Sequence, residues 1–269
     1  MKTKNLSKNV IIQIIFLLFF LQLVSCESND NPIIQGNSNL KPKSKVLLEL
    51  FTNTSCAFCI YPGLYLNDID SLKGITINDT NVVIIRCHTT LFPNDPFHNF
   101  NPSANLARQN YYNAGLYNPV AYLKGVQMPG FNASTWTNLI NQELAKTNPI
   151  SIDIICTFDT LSRDGNLNIT VGQLSGSQLS DLRLFVVVTE GHLPYNAPNG
   201  ETMFENVLRD ILSLENGEPF SILPGQSVSF YKNFTLRNGI IPHNSQIIAF
   251  VQNYSSQEVY GVEKVELVK

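Results

Sequence analysis

Residues 45–59 constrain the fold of this 269-residue chain more than any other stretch. KVLLELFT is a short, nearly continuous apolar run and reads as a strand buried on both faces. The polar turn Asn53-Thr54-Ser55 follows, then Cys56-Ala57-Phe58-Cys59. Beyond it, Ile60, Leu64, Leu66, Ile69 and Leu72 stand at roughly helical spacing, with Pro62 in the first turns, where proline is best tolerated. With Cys56 at the helix start, Cys59 lies one turn later on the same face. The two sulfurs can then bond without backbone movement. The positive end of the helix dipole favours a thiolate at Cys56, which improves it as a leaving group and raises its nucleophilic fraction. A four-cysteine zinc site has no second Cys-x-x-Cys to draw on, and a site built on Cys56, Cys59 and His88 shows no fourth ligand. A redox-active pair and a static structural disulfide both remain open.

A second feature lies downstream. Pro119 stands directly before a short strand, Val120 to Leu123, that ends at Lys124-Gly125. Together, Glu49-Leu50-Phe51-Thr52, Ser55-Cys56-Ala57-Phe58-Cys59 and Asn118-Pro119-Val120 resemble a thioredoxin-like domain. The resemblance implies a cis bond at Pro119, facing the cysteine pair. The rest of residues 45–148 agrees: NVVIIRCH (81–88) reads as a parallel core strand, SANLARQNYYNA as a helix, and FNASTWTNLINQELAK (131–146) as a closing helix capped by Asn132 or Ser134. Chemistry gathers at the carboxyl ends of such strands, where Cys56 and His88 fall. The chain departs from the thioredoxin pattern in three places. Ser55 replaces the tryptophan before the first cysteine, Ala-Phe separates the cysteines, and Leu50 takes the place of the buried acid. Glu49 is one residue off, so strand alternation sends it to the other face.

After Asn148-Pro149 the texture changes. Residues 150–158 alternate, with Ile150, Ile152, Ile154, Cys156 and Phe158 on one face. Asp164-Gly165 signals a hairpin. Runs at 166–174, 182–189, 227–236, 246–252 and 257–268 supply further strands, and 201–213 reads as a helical piece that carries Arg209. Many short strands predict an immunoglobulin-like β-sandwich over residues 149–269. The expected fold class is therefore α/β plus all-β.

The amino terminus has its own pattern. Lys2, Lys4 and Lys8 precede VIIQIIFLLFFLQLV (10–24), which is shorter than the ~20 residues of a spanning helix and suits a secretory signal. Leu23-Val24-Ser25-Cys26 resembles a bacterial lipobox. That implies a signal peptide over residues 1–25, cleavage before Cys26 and acylation of Cys26; otherwise Cys26 is incidental in an ordinary signal. Residues 26–44 are polar, lack a period and read as a flexible tether. A formal charge of -3 argues against a nucleic-acid partner, and charged residues make up only 14% of the chain. Cys87 and Cys156 read as small buried residues.

The lipobox, Glu49 to Cys59, and Val188-Thr189-Glu190-Gly191, Asn206-Val207-Leu208-Arg209 and Ala249-Phe250-Val251-Gln252 together resemble the 28-kDa outer-membrane-protein-related lipoprotein family of Gram-negative bacteria. The resemblance covers about residues 45–268. It implies a cell-envelope lipoprotein held in the outer membrane through Cys26, and it implies no settled activity. Two functions follow as expectations. In the first, Cys56 attacks a disulfide of an envelope protein, Cys59 resolves the mixed disulfide, Pro119 shapes the groove and His88 polarises a thiol, with no cofactor or metal. In the second, the chain is a non-enzymatic binding or adhesion protein with a structural Cys56–Cys59 disulfide.

Overall fold

The computed structural model describes residues 33–35, 44–67, 81–174 and 176–268. The signal segment, Cys26 and most of the tether lie outside the described residues. In chain order the elements are β1 (Ile33–Gln35), β2 (Val46–Thr52), α1 (Ile60–Asn67), β3 (Val82–His88), α2 (Pro96–Phe100), α3 (Pro102–Tyr112), β4 (Val120–Leu123), β5 (Val126–Gln127) and α4 (Ala133–Leu144). There follow β6 (Ile150–Phe158), β7 (Asp164–Gln173), β8 (Leu182–Glu190), β9 (Leu193–Pro194), β10 (Met203–Phe204), β11 (Val207–Ile211), β12 (Glu218–Phe220), β13 (Ser227–Thr235), β14 (Ser245–Asn253) and β15 (Val259–Glu266).

Among the described residues, a nine-stranded mixed sheet runs β15-β14-β8-β11-β3-β2-β4-β5, with β12 also on β8. A four-stranded sheet, β1-β13-β7-β6, faces part of it. Parallel pairing of β2 with β3 sets Thr52 beside His88, and antiparallel pairing of β2 with β4 sets Phe51 beside Val120. The large sheet takes strands from both sides of Asn148, joined where β11 lies between β3 and β8.

Strand alternation distributes the cores. One face of the large sheet presents Leu47, Phe51, Val83, Ile85, Phe185, Val187, Ile248 and Phe250, covered by α3 through Ala104 and Tyr112. The opposite face presents Leu48, Leu50 and Ile84 to α1 and α4, through Leu66, Trp136 and Ile140. Further along that face, Leu184, Val186, Ile247 and Ala249 meet Ile152, Ile169 and Val228 of the small sheet. Each such aliphatic side chain contributes ~1.5–3 kcal/mol by leaving water.

Two expectations give way. Residues 201–213 are not helical: they form β10 and β11. Phe204, Val207, Leu208, Ile211 and Leu212 do stand at helical spacing, but Val207 and Leu208 are needed between two strands of the large sheet. A register shift between Leu208 and Asp210 re-aims Arg209, and this irregularity gives a strand the look of a helix. The tether is not free of structure throughout either. Ile33, Ile34 and Gln35 pair antiparallel with Ser229, Val228 and Ser227 of β13.

Glu49 faces away from α1, as alternation requires, and anchors a buried polar cluster. Arg108 of α3 donates from Nε to Glu49 Oε1 and from Nη2 to Oε2, each at 2.8 Å. Tyr112 Oη donates to Oε2 at 2.8 Å, and Gln252 Nε2 of β14 donates to Tyr112 Oη at 2.7 Å. The guanidinium lies 4.7–5.2 Å from the ring centres of Tyr111, Tyr112, Phe185 and Phe250. The cluster ties β2 and α3 to β8 and β14 across the middle of the sheet.

Candidate functional site: a disulfide at the carboxyl end of β2

The site begins where β2 stops. Asn53 turns the chain: its backbone carbonyl accepts from Cys56 N at 3.1 Å and its Oδ1 accepts from Ser55 N at 2.9 Å. Its Nδ2 donates to Thr89 O (2.9 Å) and Phe92 O (3.1 Å), which fastens the turn to the loop after β3. Cys56 and Cys59 are joined as a disulfide, with Cα atoms 5.3 Å apart. Cys59 N donates to Cys56 O at 3.1 Å, and Gly63 N donates to Cys59 O at 3.1 Å. The regular helix therefore begins at Ile60, with Cys59 immediately before it and Cys56 one turn ahead, earlier than the sequence placed it. Cys56 keeps 3% of its surface exposed and Cys59 none.

The Asn118-Pro119 bond is cis, as the resemblance implied. Because Val120 pairs with Phe51, Pro119 sits just past the strand end from which the cysteine turn departs. Tyr117 and Leu116 before it are exposed, as are Phe58, Tyr61 and Phe92. The aromatic residues between β3 and β4 divide into two groups. Phe97 and Tyr112 are buried and Phe100 and Tyr111 partly so, while Phe92 and Tyr117 stay at the surface.

His88 lies at the same sheet end but is wholly buried. It donates from Nδ1 to Asp95 Oδ2 at 2.8 Å, and its ring packs 4.9 Å from Phe97 and 5.8 Å from Phe204. Burial lowers its pKa, against the pull of Asp95. Asp95 also accepts from Thr54 N (2.8 Å), Phe97 N (2.9 Å) and His98 N (3.3 Å). Burial pushes the Asp95 carboxyl up, but the His88 hydrogen bond and charge and these N–H donors hold it below its usual value. His88 therefore reaches the cysteine turn through Asp95 and Thr54. Asp95 was not singled out by the sequence reading, although Asp95-Pro96 is the pattern of a helix cap followed by proline, and Asp95 does cap α2.

A segment from the second half closes on the motif. Asn199 N donates to Thr54 O at 3.1 Å. Glu201 forms a buried ion pair with Arg86 of β3, Nη2 to Oε1 at 2.7 Å. Burial raises the Glu201 carboxyl, with Arg86 opposing. Neither residue has a sequence signal of its own, because their meeting depends on the fold. Arg209, placed in a helix by the sequence reading, lies in β11. Its Nε is 2.9 Å from Glu190 Oε2 and its guanidinium stacks 3.5 Å from the Phe100 ring centre. Cys87 is buried with its thiol pushed well up by burial and by Glu49. Cys156 is half-buried. No group of three or more metal-ligating side chains occurs among the described residues, and no described helix is long and apolar enough to cross a membrane.

No family model and no curated protein matches the chain. Among solved structures it is similar to HBP35 of Porphyromonas gingivalis, with a TM-score of 0.69 and 20% identity over 86% of this chain and 77% of that one. A domain of the outer membrane lipoprotein Omp28 from Porphyromonas gingivalis aligns with a TM-score of 0.34 and 20% identity, over 44% of this chain and 88% of that one. The first likeness is one of fold: a mostly β chain with few helices, built on a mixed sheet and smaller sheets.

Proposed function

We propose that this chain is a cell-envelope lipoprotein, anchored through Cys26 in the outer membrane, whose Cys56–Cys59 pair exchanges disulfides with envelope proteins. In this reading residues 45–148 are thioredoxin-like and residues 149–269 immunoglobulin-like, the two parts sharing one sheet. The observation that carries it is the disulfide itself, set in the turn at the carboxyl end of β2, with Pro119 just ahead of the neighbouring strand β4. The only exposure within the pair belongs to Cys56, the sulfur-bearing residue a partner thiol or disulfide could reach. The reduced Cys56 thiolate attacks a substrate disulfide, and Cys59 then displaces the substrate from Cys56. Pro119 bounds the approach, and His88 acts through Asp95 by positioning the cysteine turn. The test is turnover of a small aromatic disulfide by the mature chain lacking Cys26. Cys56→Ser should abolish it, and Cys59→Ser should accumulate mixed disulfides with envelope proteins. Equal turnover in wild type and Cys56→Ser would end the reading.

One observation favours the non-enzymatic alternative. Both cysteines are almost wholly buried, and Asn53 and Asp95 brace the turn ahead of them with several hydrogen bonds, as suits a static staple. A pair that resists reduction while the folded protein binds an envelope partner would support that reading.

A further inference from the structure

Resolution of a mixed disulfide requires Cys59 to lose a proton where the folded protein leaves it no exposure. Burial disfavours a thiolate, so a nearby acceptor speeds the step. The helix face that carries Cys59 points to a candidate. Gly63 is one turn beyond Cys59, and residues so spaced share a face. A methyl group on Gly63 would lie 2.9 Å from Glu201 Oε1 and 3.1 Å from Oε2, so the carboxylate fills the space a side chain there would take. Oε1 accepts from Arg86, and Oε2 is buried without a hydrogen-bond partner among the described residues. The segment bearing Glu201 is fixed to the cysteine turn through Asn199 and Thr54. Asp95 is the poorer acceptor, because both its oxygens are engaged by N–H donors.

We propose that Glu201, delivered from the second half of the chain, accepts the Cys59 proton during resolution of the mixed disulfide. The proposal rests on the exchange reading above. The Cys59 thiol gives its proton to the Glu201 carboxylate. The Cys59 thiolate then attacks Cys56 Sγ, the Cys56–Cys59 bond forms, and the bond from Cys56 to substrate sulfur breaks. The electron pair leaves with the substrate thiolate, which is protonated by water. Glu201 then returns its proton to solvent. The substrate disulfide is reduced and the cysteine pair oxidised by two electrons.

The test is single turnover of the reduced mature chain, in a Cys26- and Cys156-free background, with 5,5'-dithiobis(2-nitrobenzoate). The first released thiolate reports attack by Cys56 and the second reports resolution by Cys59. Glu201→Gln should slow the second phase at least tenfold at neutral pH. Glu201→Asp should restore most of the rate. In wild type, difference infrared spectra between reduced and oxidised protein should show a carboxyl change that Glu201→Gln lacks. A second phase slowed less than tenfold in Glu201→Gln overturns the proposal. Absence of the first phase in wild type would instead sink the exchange reading.

Discussion

Replacing Arg108 with alanine strips the Glu49 carboxylate of both guanidinium hydrogen bonds, 2.8 Å each, and leaves it buried with Tyr112 Oη as its remaining donor. Breaking a buried ion pair from one side costs about 3–5 kcal/mol. The guanidinium also lies over four aromatic rings, and loss of desolvated cation–π contact adds up to about 2 kcal/mol, not additively. A total near 5 kcal/mol corresponds to a fall in melting temperature of about 10–20 °C for a folded unit of this size. Thermal unfolding followed by circular dichroism and by fluorescence of Trp136, the only tryptophan, reads it out. Trp136 reports the core under α4, and far-ultraviolet dichroism reports all the strands. Both should shift together, because the cluster joins β2 and α3 to β8 and β14. The double variant Glu49→Leu/Arg108→Met should recover at least half of the loss, since it leaves no unpaired charge. A loss below about 1 kcal/mol, or a shift seen by only one probe, refutes the argument that this cluster locks the sheet.

Other outcomes follow from the site. Burial lowers the His88 pKa, so the unfolded chain takes up that proton first as pH falls below its value of about 6.5. Stability should therefore fall with acidification from there down to the folded pKa, by about 1.4 kcal/mol per pH unit, and be flat above; urea midpoints of His88→Asn should lack this slope. Gly63→Ala should lower the melting temperature despite alanine's better helix propensity of about 1 kcal/mol, because its methyl meets Glu201 and Arg86 at 2.9–3.0 Å; a rise in melting temperature contradicts that packing. Alkylation of the native oxidised protein, followed by peptide mass spectrometry, should mark Cys156 and spare Cys87; prompt labelling of Cys87 contradicts its burial. Asn53→Ala removes donors to Thr89 and Phe92 and an acceptor for Ser55 N, and should cost about 1–3 kcal/mol in chemical denaturation.

Much of the architecture was legible because the strands carry strong periodic patterns. The alternating run from Ile150 became β6 with its apolar side chains on the core side, and Val120 to Leu123 became β4 without change. The cysteine turn and its proline were legible from residue type and order. What escaped depends on long-range meeting. Residues 201–213 looked helical because a bulge interrupts their period, and only the gap between β3 and β8 selects a strand. Ile33-Ile34 was two apolar residues in a polar stretch, too little to mark a strand until β13 offers its edge. Arg86 and Glu201 acquire their roles from each other across 115 residues, which no local pattern encodes.

The central claim, that the Cys56–Cys59 pair is made for exchange, is tested most directly by its redox equilibrium. The mature chain lacking Cys26 is equilibrated across glutathione ratios, and the fraction of closed pair is read by mass spectrometry after acid trapping. The account predicts a midpoint above about -300 mV, within reach of envelope thiols, with Cys56 the first sulfur to be alkylated on reduction. A pair that stays closed below about -300 mV would mark a structural disulfide and contradict the account.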